Sequence, residues 1–443
     1  MKINFIKLLY EEENDMKKNK GITLVALVVT IVVLLILAGV SINLVLGNNG
    51  IIAKAKDAET KFAEASQNDL KGMNGLIEQM ESTLNGSGNG GKTEPETVPY
   101  LPSDDFHYDT STSVDTGLVI KDASGNEYVW VVVPRTTAVY AKTGLGKTTF
   151  TDADYTSIEN DLKEYTKIYR GNTDFSDVYY ADDKNVGWFA DETAYNNLKN
   201  SMLKSVYENG GFYVGRYEAG IAENRTSNTD KNTDGKYIMP STAPVSKADA
   251  YPYTYVTRTQ AQNLASNVNS GTKTSSLMFG VQWDLVLAFM HNKGNIADST
   301  LTSNSTKIGN YRDSVFQLTQ TGKYATLSNW SLSSTWNPST TSTTNFVDSS
   351  RNKIAQPSNG NGILVTTGTS EKNKVMNIYD VAGNVWEWTL EKTSSNNDPC
   401  ADRGGGFDVT GSDYPAVYRL LRYHRQPQRH RFPCFTFLGK AER

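Results

Sequence analysis

The sequence predicts an α+β protein in two parts: an N-terminal helix able to cross a membrane, then a large, loop-rich globular head. Three observations carry this. Residues 22–46, ITLVALVVTIVVLLILAGVSINLVL, run 25 positions without a charge, more than the roughly 20 that a helix needs to span a bilayer. The chain is rich in Tyr (24), Gly (35), Ser, Thr and Asn, and 38% hydrophobic, a balance that suits a loop-rich extracellular domain better than a helical cytosolic enzyme. Short apolar runs such as Tyr128–Val133 and Val385–Thr389 have the character of strands and are punctuated by Pro134 and by Gly383-Asn384.

The totals exclude several classes. A chain of 443 residues has room for two or three domains. Its formal charge of -4 gives no general attraction to nucleic acid. Two cysteines, Cys400 and Cys434, allow at most one bridge. The four histidines, His107, His291, His424 and His430, are scattered, and no His-x3-His-x-Glu cluster is present to hold a non-haem iron.

In order, residues 1–21 read as a leader ending in Lys17, Lys18 and Lys20, with Met16 the expected true start. Residues 22–46 read as the membrane helix, too long for the apolar stretch of a secretory signal. The lysines before it predict a single span with its N-terminus inside and everything after Leu46 outside the cell. Lys20-Gly21-Ile22-Thr23-Leu24-Val25 resembles the processing site of type IV prepilins. That resemblance implies cleavage after Gly21 and an N-methylated Ile22 as the mature start. Ala26 stands at the fifth mature position, where pilins usually carry a glutamate, which counts against assembly into a true pilus. Residues 47–84 have apolar positions at helical spacing and predict an amphipathic stalk. Residues 85–97, NGSGNGGKTEPET, read as a flexible linker, and 98–443 as the head.

Within the head, Asp380-Val-Ala-Gly383-Asn384-Val-Trp386-Glu387-Trp388-Thr389 stands out. Gly383-Asn384 is a turn signal. Alternation then predicts a strand with Val385, Glu387 and Thr389 on one face and Trp386 and Trp388 on the other, at the centre of a core. Followed by Arg403-Gly404-Gly405-Gly406, this motif resembles the formylglycine-generating enzyme (sulfatase-modifying factor) family. Further matches run in order: Gly117–Ile120, Gly125–Val131, Gly211–Ala219, Pro244-Val245, a helix near Gln260–Asn267 and another over Phe279–Phe289. The resemblance spans about residues 115 to 418 and implies a loop-rich, C-type-lectin-like fold.

Its chemistry does not carry over. The family's cysteine pair, counted from Arg403-Gly404-Gly405, falls at about Val409 and Tyr414, and neither residue ligates copper or attacks a disulfide. No catalytic residue is therefore assigned, and neither copper nor iron is expected. The resemblance also implies a structural calcium, with Asn384 and Glu387 as oxygen ligands. In the plainer alternative, Asn384 caps its own turn and Glu387 pairs with an arginine such as Arg403. Gly144-Leu-Gly-Lys-Thr-Thr149 lacks the spacing of a phosphate loop and reads as an ordinary loop. The Ser/Thr/Asn-rich residues 295–375 read as long surface loops.

The end of the chain departs from the family. From about residue 419 it turns to LLRYHRQPQRHRFPCFTFLGKAER, without the closing Ile-Gly-Phe-Arg strand. Codons exist for His430–Phe435 that read Ile-Gly-Phe-Arg in a shifted frame, so a one-base insertion near codons 419–422 is expected. Together these features predict a cell-membrane protein whose non-catalytic head binds an extracellular ligand, a glycan or a protein. An oxidoreductase of the formylglycine-generating type and a minor pilin are the alternatives.

Overall fold

The computed structural model describes residues 28–29, 99–171, 174–180, 189–226, 238–268, 273–328, 331–356, 361–422 and 437–440. The chain divides into two compact units, Met1–Asn85 and Gly86–Arg443. The leader, the stalk, the linker and most of the apolar run lie outside the described residues, as do the prepilin positions Gly21 and Ile22. Among the described residues no helix is long and apolar enough to cross a membrane.

The second unit is α+β. Its largest sheet is antiparallel and runs β1 (His107–Tyr108), β2 (Val119–Lys121), β3 (Glu127–Val132), β5 (Gly211–Gly215), β18 (Phe437–Lys440), β8 (Lys273–Ser276). The sequence explains β3: EYVWVV is β-branched and aromatic, and Trp130 and Val129 are both buried. The place of β18 corrects an expectation. The departure near residue 419 implied a sheet without its closing strand. Instead, backbone at 437–440 pairs with both β5 and β8, Leu438 lying opposite Tyr213 and Ser275. Hydrogen bonding between strands is main-chain chemistry, so this slot makes little demand on side-chain identity.

A second antiparallel sheet carries the motif, in the order β17 (Arg419–Arg422), β16 (Cys400–Arg403), β15 (Glu387–Thr393), β4 (Phe175–Ser176). Behind it lies α5 (Gly280–Asn292), buried on all sides from Gly280 to Met290. The carboxylate of Asp177 accepts from the amides of Gly280 and Val281 at 2.6 and 3.0 Å, satisfying donors at that helix's start. Gly280 is required by space, since a Cβ there would lie 2.2 Å from Glu391 Oε1.

Five further helices pack around this core. α1 (Asp152–Tyr165) starts with a capping box of Thr151 and Asp154, and α3 (Glu192–Asn209) is capped by Asp191 and ends on Gly210 in the left-handed region. Between them is the short α2 (Lys167–Arg170). A second capping box, Thr257 with Gln260, starts α4 (Arg258–Ser266). A fifth, short helix, α6 (Asp298–Thr302), follows α5.

The Ser/Thr-rich segment is not only loop. β9 (Lys323–Ser328) pairs with β10 (Ser331–Leu332), β11 (Asn337–Pro338) and β12 (Gly362–Val365). Phe316, Leu318, Tyr324, Val347, Ile363 and Val365 form its own apolar cluster. Threonine is a good strand residue, and hydroxyls here are spent on backbone: Ser339 Oγ donates to Thr319 O at 2.7 Å from a fully buried position. Two short ladders complete the head, β6 (Gly220–Ile221) with β7 (Tyr251–Pro252) and β13 (Lys374–Val375) with β14 (Ile378–Tyr379).

Candidate functional site

The motif folds into a junction between distant segments. The chain from 376 to 384 visits the left-handed region five times, at Met376, Asn377, Asp380, Gly383 and Asn384, which non-glycine residues seldom do. Only glycine fits at 383, because a Cβ would lie 2.4 Å from Asn310 O. The next residue, Asn384, is fully buried. Its Oδ1 accepts from Asn310 Nδ2 at 2.9 Å and from the Val365 amide at 3.1 Å, and its Nδ2 donates to Glu218 Oε2 at 2.6 Å. The Asn384 amide donates to Asn310 O at 2.7 Å, and Gly383 N donates to Gly404 O at 2.8 Å. Tyr311 Oη donates to the same Gly404 carbonyl at 2.8 Å.

Asn384 therefore does not cap its own turn; its amide binds three other segments. Nor does the structure pair Arg403 with Glu387. Arg403 Nη2 reaches Asp284 Oδ1 at 2.7 Å and Nη1 reaches Glu391 Oε2 at 3.1 Å. Arg419 reinforces both carboxylates, with Nε 2.8 Å from Glu391 Oε1 and Nη2 2.9 Å from each oxygen of Asp284. Arg170 adds a third guanidinium, 2.8 Å from Asp284 Oδ2. Burial alone would raise the Glu391 pKa, but Arg419 and Arg403 hold it down at about 2. Asp177 moves the other way, its carboxyl pushed up by burial and by the charge of Glu391.

A second pair of buried carboxyls adjoins the turn. Burial, and then the charge of Asp380, push Glu218 well above the usual carboxylate range. Asp380 itself is raised to about 6 by burial, opposed by hydrogen bonds from Gly368 N and Asn373 Nδ2.

The two tryptophans of the motif occupy different surroundings. Trp388 lies in the central core and donates to Val256 O at 3.3 Å. Trp386 packs instead against Tyr414 and Tyr418, with centroids 5.3 and 6.2 Å away. The strand begins only at Glu387, so the turn still governs where the earlier indole points. Polar alternation on β15 is genuine: Glu387, Thr389 and Glu391 are all buried.

No protein-family model and no curated protein matches the chain. The site is therefore read from its own geometry. Asp380, Asn384, Trp386, Glu387, Trp388 and Arg403 are each at most 3% exposed, and Gly404 and Gly405 are buried with positive φ. This suits a joint better than a reaction centre. Asn384 and Glu387, the residues nominated for calcium, are both buried. Both acceptor directions of Asn384 Oδ1 are already used, and among the described residues no three His, Cys, Asp or Glu side chains converge. Val409 and Tyr414 are half-buried, and Cys400 is buried in β16. Gly144–Thr149 is a loop, with both glycines at positive φ.

Beside the strained corner lies an open cleft of about 650 Å³, lined among others by Asp109, Asp115, Arg216, Lys293, Lys374 and Asn377. Arg216 lies 5.6 and 5.7 Å from the ring centroids of Tyr217 and Tyr379 and donates to Glu127 Oε2 at 2.6 Å. Sequence reading passed over Asn310, Asp380's partner Asn373, Glu391 and Arg419. The signal for Glu391 was legible in principle, as the third polar residue on one face of a strand.

Proposed function

We propose that this chain is a membrane-anchored, surface-displayed binding protein. Its head would be a non-catalytic member of the formylglycine-generating-enzyme type with a C-type-lectin-like fold. The observation that carries the non-catalytic reading is the burial of the motif. The polar atoms of Asn384 and its turn are committed to Glu218, Asn310, Val365 and Gly404, which supports a role as a joint. Anchoring is supported by the uncharged run 22–46 and the lysines before it. The cleft beside Arg216 and Lys374 is of ligand size.

A minor pilin is the second reading, favoured by Lys20-Gly21-Ile22. Intact mass and N-terminal sequencing of protein from its native membrane, with protease shaving of whole cells, test both. Release of the head by external protease, from a chain starting at Met1 or Met16, is expected for a simple anchor. An N-methylated Ile22 start and co-purification with a pilin would favour the second reading. A head protected from external protease would overturn surface display.

A further inference from the structure

Helices α1 and α3 enclose a second groove that the motif does not touch. Its volume is about 430 Å³, within the range of small-ligand sites. One wall is built from α3, which contributes Asn196, Asn197 and Asn200, and the other from α1, which contributes Tyr155 and Thr156. Charge in the floor is internally cancelled: Glu159 pairs with Lys163 and, at 3.0 Å, with Lys199, whose Nζ also donates to Asp177 O at 2.9 Å. Asp152, at the exposed mouth, is the remaining charge among the lining residues.

The asparagines are the unusual feature. Asparagine disfavours helix interiors because its amide competes with the backbone for hydrogen bonds. Yet Asn196, Asn197 and Asn200 stand within five positions of one 18-residue helix whose last residue is a fourth, Asn209, with 196 and 200 one turn apart on the same side. Among the described residues none of these three amides has a hydrogen-bond partner. Each primary amide is donor and acceptor at once, which matches the paired hydroxyls of a sugar. Tyr155, half-buried and stacked on Phe150 with centroids 5.7 Å apart, supplies an aromatic ring for the C–H face of a sugar. A peptide would call for pockets for its side chains, and this lining is polar throughout apart from Tyr155.

We propose that the groove between α1 and α3 binds a neutral saccharide through Asn196, Asn197, Asn200 and Tyr155. The proposal deepens the binding-module reading and rests on it for access to extracellular glycans. The test uses the detergent-solubilised full chain against immobilised neutral oligosaccharides of glucose, galactose, mannose and N-acetylglucosamine, and against a control array of unrelated peptides. The triple variant N196A/N197A/N200A should lose at least tenfold in affinity for any retained oligosaccharide. Its melting temperature should hold or rise, because alanine is the better helix former, so lost binding would not mean lost folding. Tyr155→Ala should weaken binding as well. Retention of no neutral oligosaccharide, undiminished binding by the triple variant, or amide-dependent capture of peptides alone would each overturn the proposal. Binding that survives while shaving finds the head protected would keep the groove and remove surface display instead.

Discussion

Asp380 combines three conditions that rarely coincide in one residue: full burial, positive φ and a carboxyl neighbour in Glu218. Its pKa rises from 3.8 to about 6 on folding, so the native state binds the extra proton between those values. For this group stability is greatest below about pH 4, falls as the pH rises toward 6, and is lowest above that. Asp380→Asn removes the titration, keeps an acceptor for Gly368 N, and suits the left-handed backbone better. Urea unfolding from pH 4.5 to 8 should give a flatter profile for this variant. At pH 7.5 a gain of up to roughly 2–3 kcal/mol is expected, the worth of the shift. Parallel wild-type and variant curves would refute the assignment. The turn at Gly383-Asn384 was legible because both residue types tolerate positive φ. What Asn384 binds was not, since Glu218 lies 166 positions away and Asn310 lies 74 away, and nothing local encodes such distances.

At the scale of elements, α5, β15, β16 and β17 are joined by charges as much as by apolar packing. Arg419 alone contacts Asp284, Glu391 and the carbonyls of Tyr169 and Arg170. Its replacement by methionine would leave two buried carboxylates short of a partner and should cost about 3–5 kcal/mol in urea unfolding. Arg422→Met, which loses a half-exposed contact with Asp402 at 3.3 Å, should cost under about 1 kcal/mol. Equal losses would show that the network does not hold the sheet to the helix. α4 and α5 were expected from apolar runs and from the order of motifs in the resemblance. α1 and α3 were passed over because Asn, Asp, Thr and Tyr dilute their amphipathic pattern, although Thr151 and Asp154 spell a capping box. β9 to β12 were hidden for a related reason: strand-forming threonines look like loop in a composition this polar.

For the molecule as a whole, β18 decides whether the largest sheet is continuous. Ending the chain at Arg422 would leave the facing edges of β5 and β8 without their shared partner. Such a truncation should lower the melting temperature and increase aggregation on heating, read by calorimetry and light scattering. Unchanged melting would mean that the strand contributes little to holding the sheet. The α+β class was readable from composition and short alternating runs. Which terminal segment fills the sheet was not, because main-chain pairing depends little on side-chain identity.

The junction around Asn384 also governs time. Its partners reach from Glu218 through Asn310 and Val365 to Gly404, so nearly 200 residues must be in place before it can close. Closing loops of that length delays folding, as it does wherever non-local pairings dominate. A nascent chain would thus keep this junction open until Gly404 has emerged. The head therefore locks late, only after the whole span from Glu218 to Gly404 has been made.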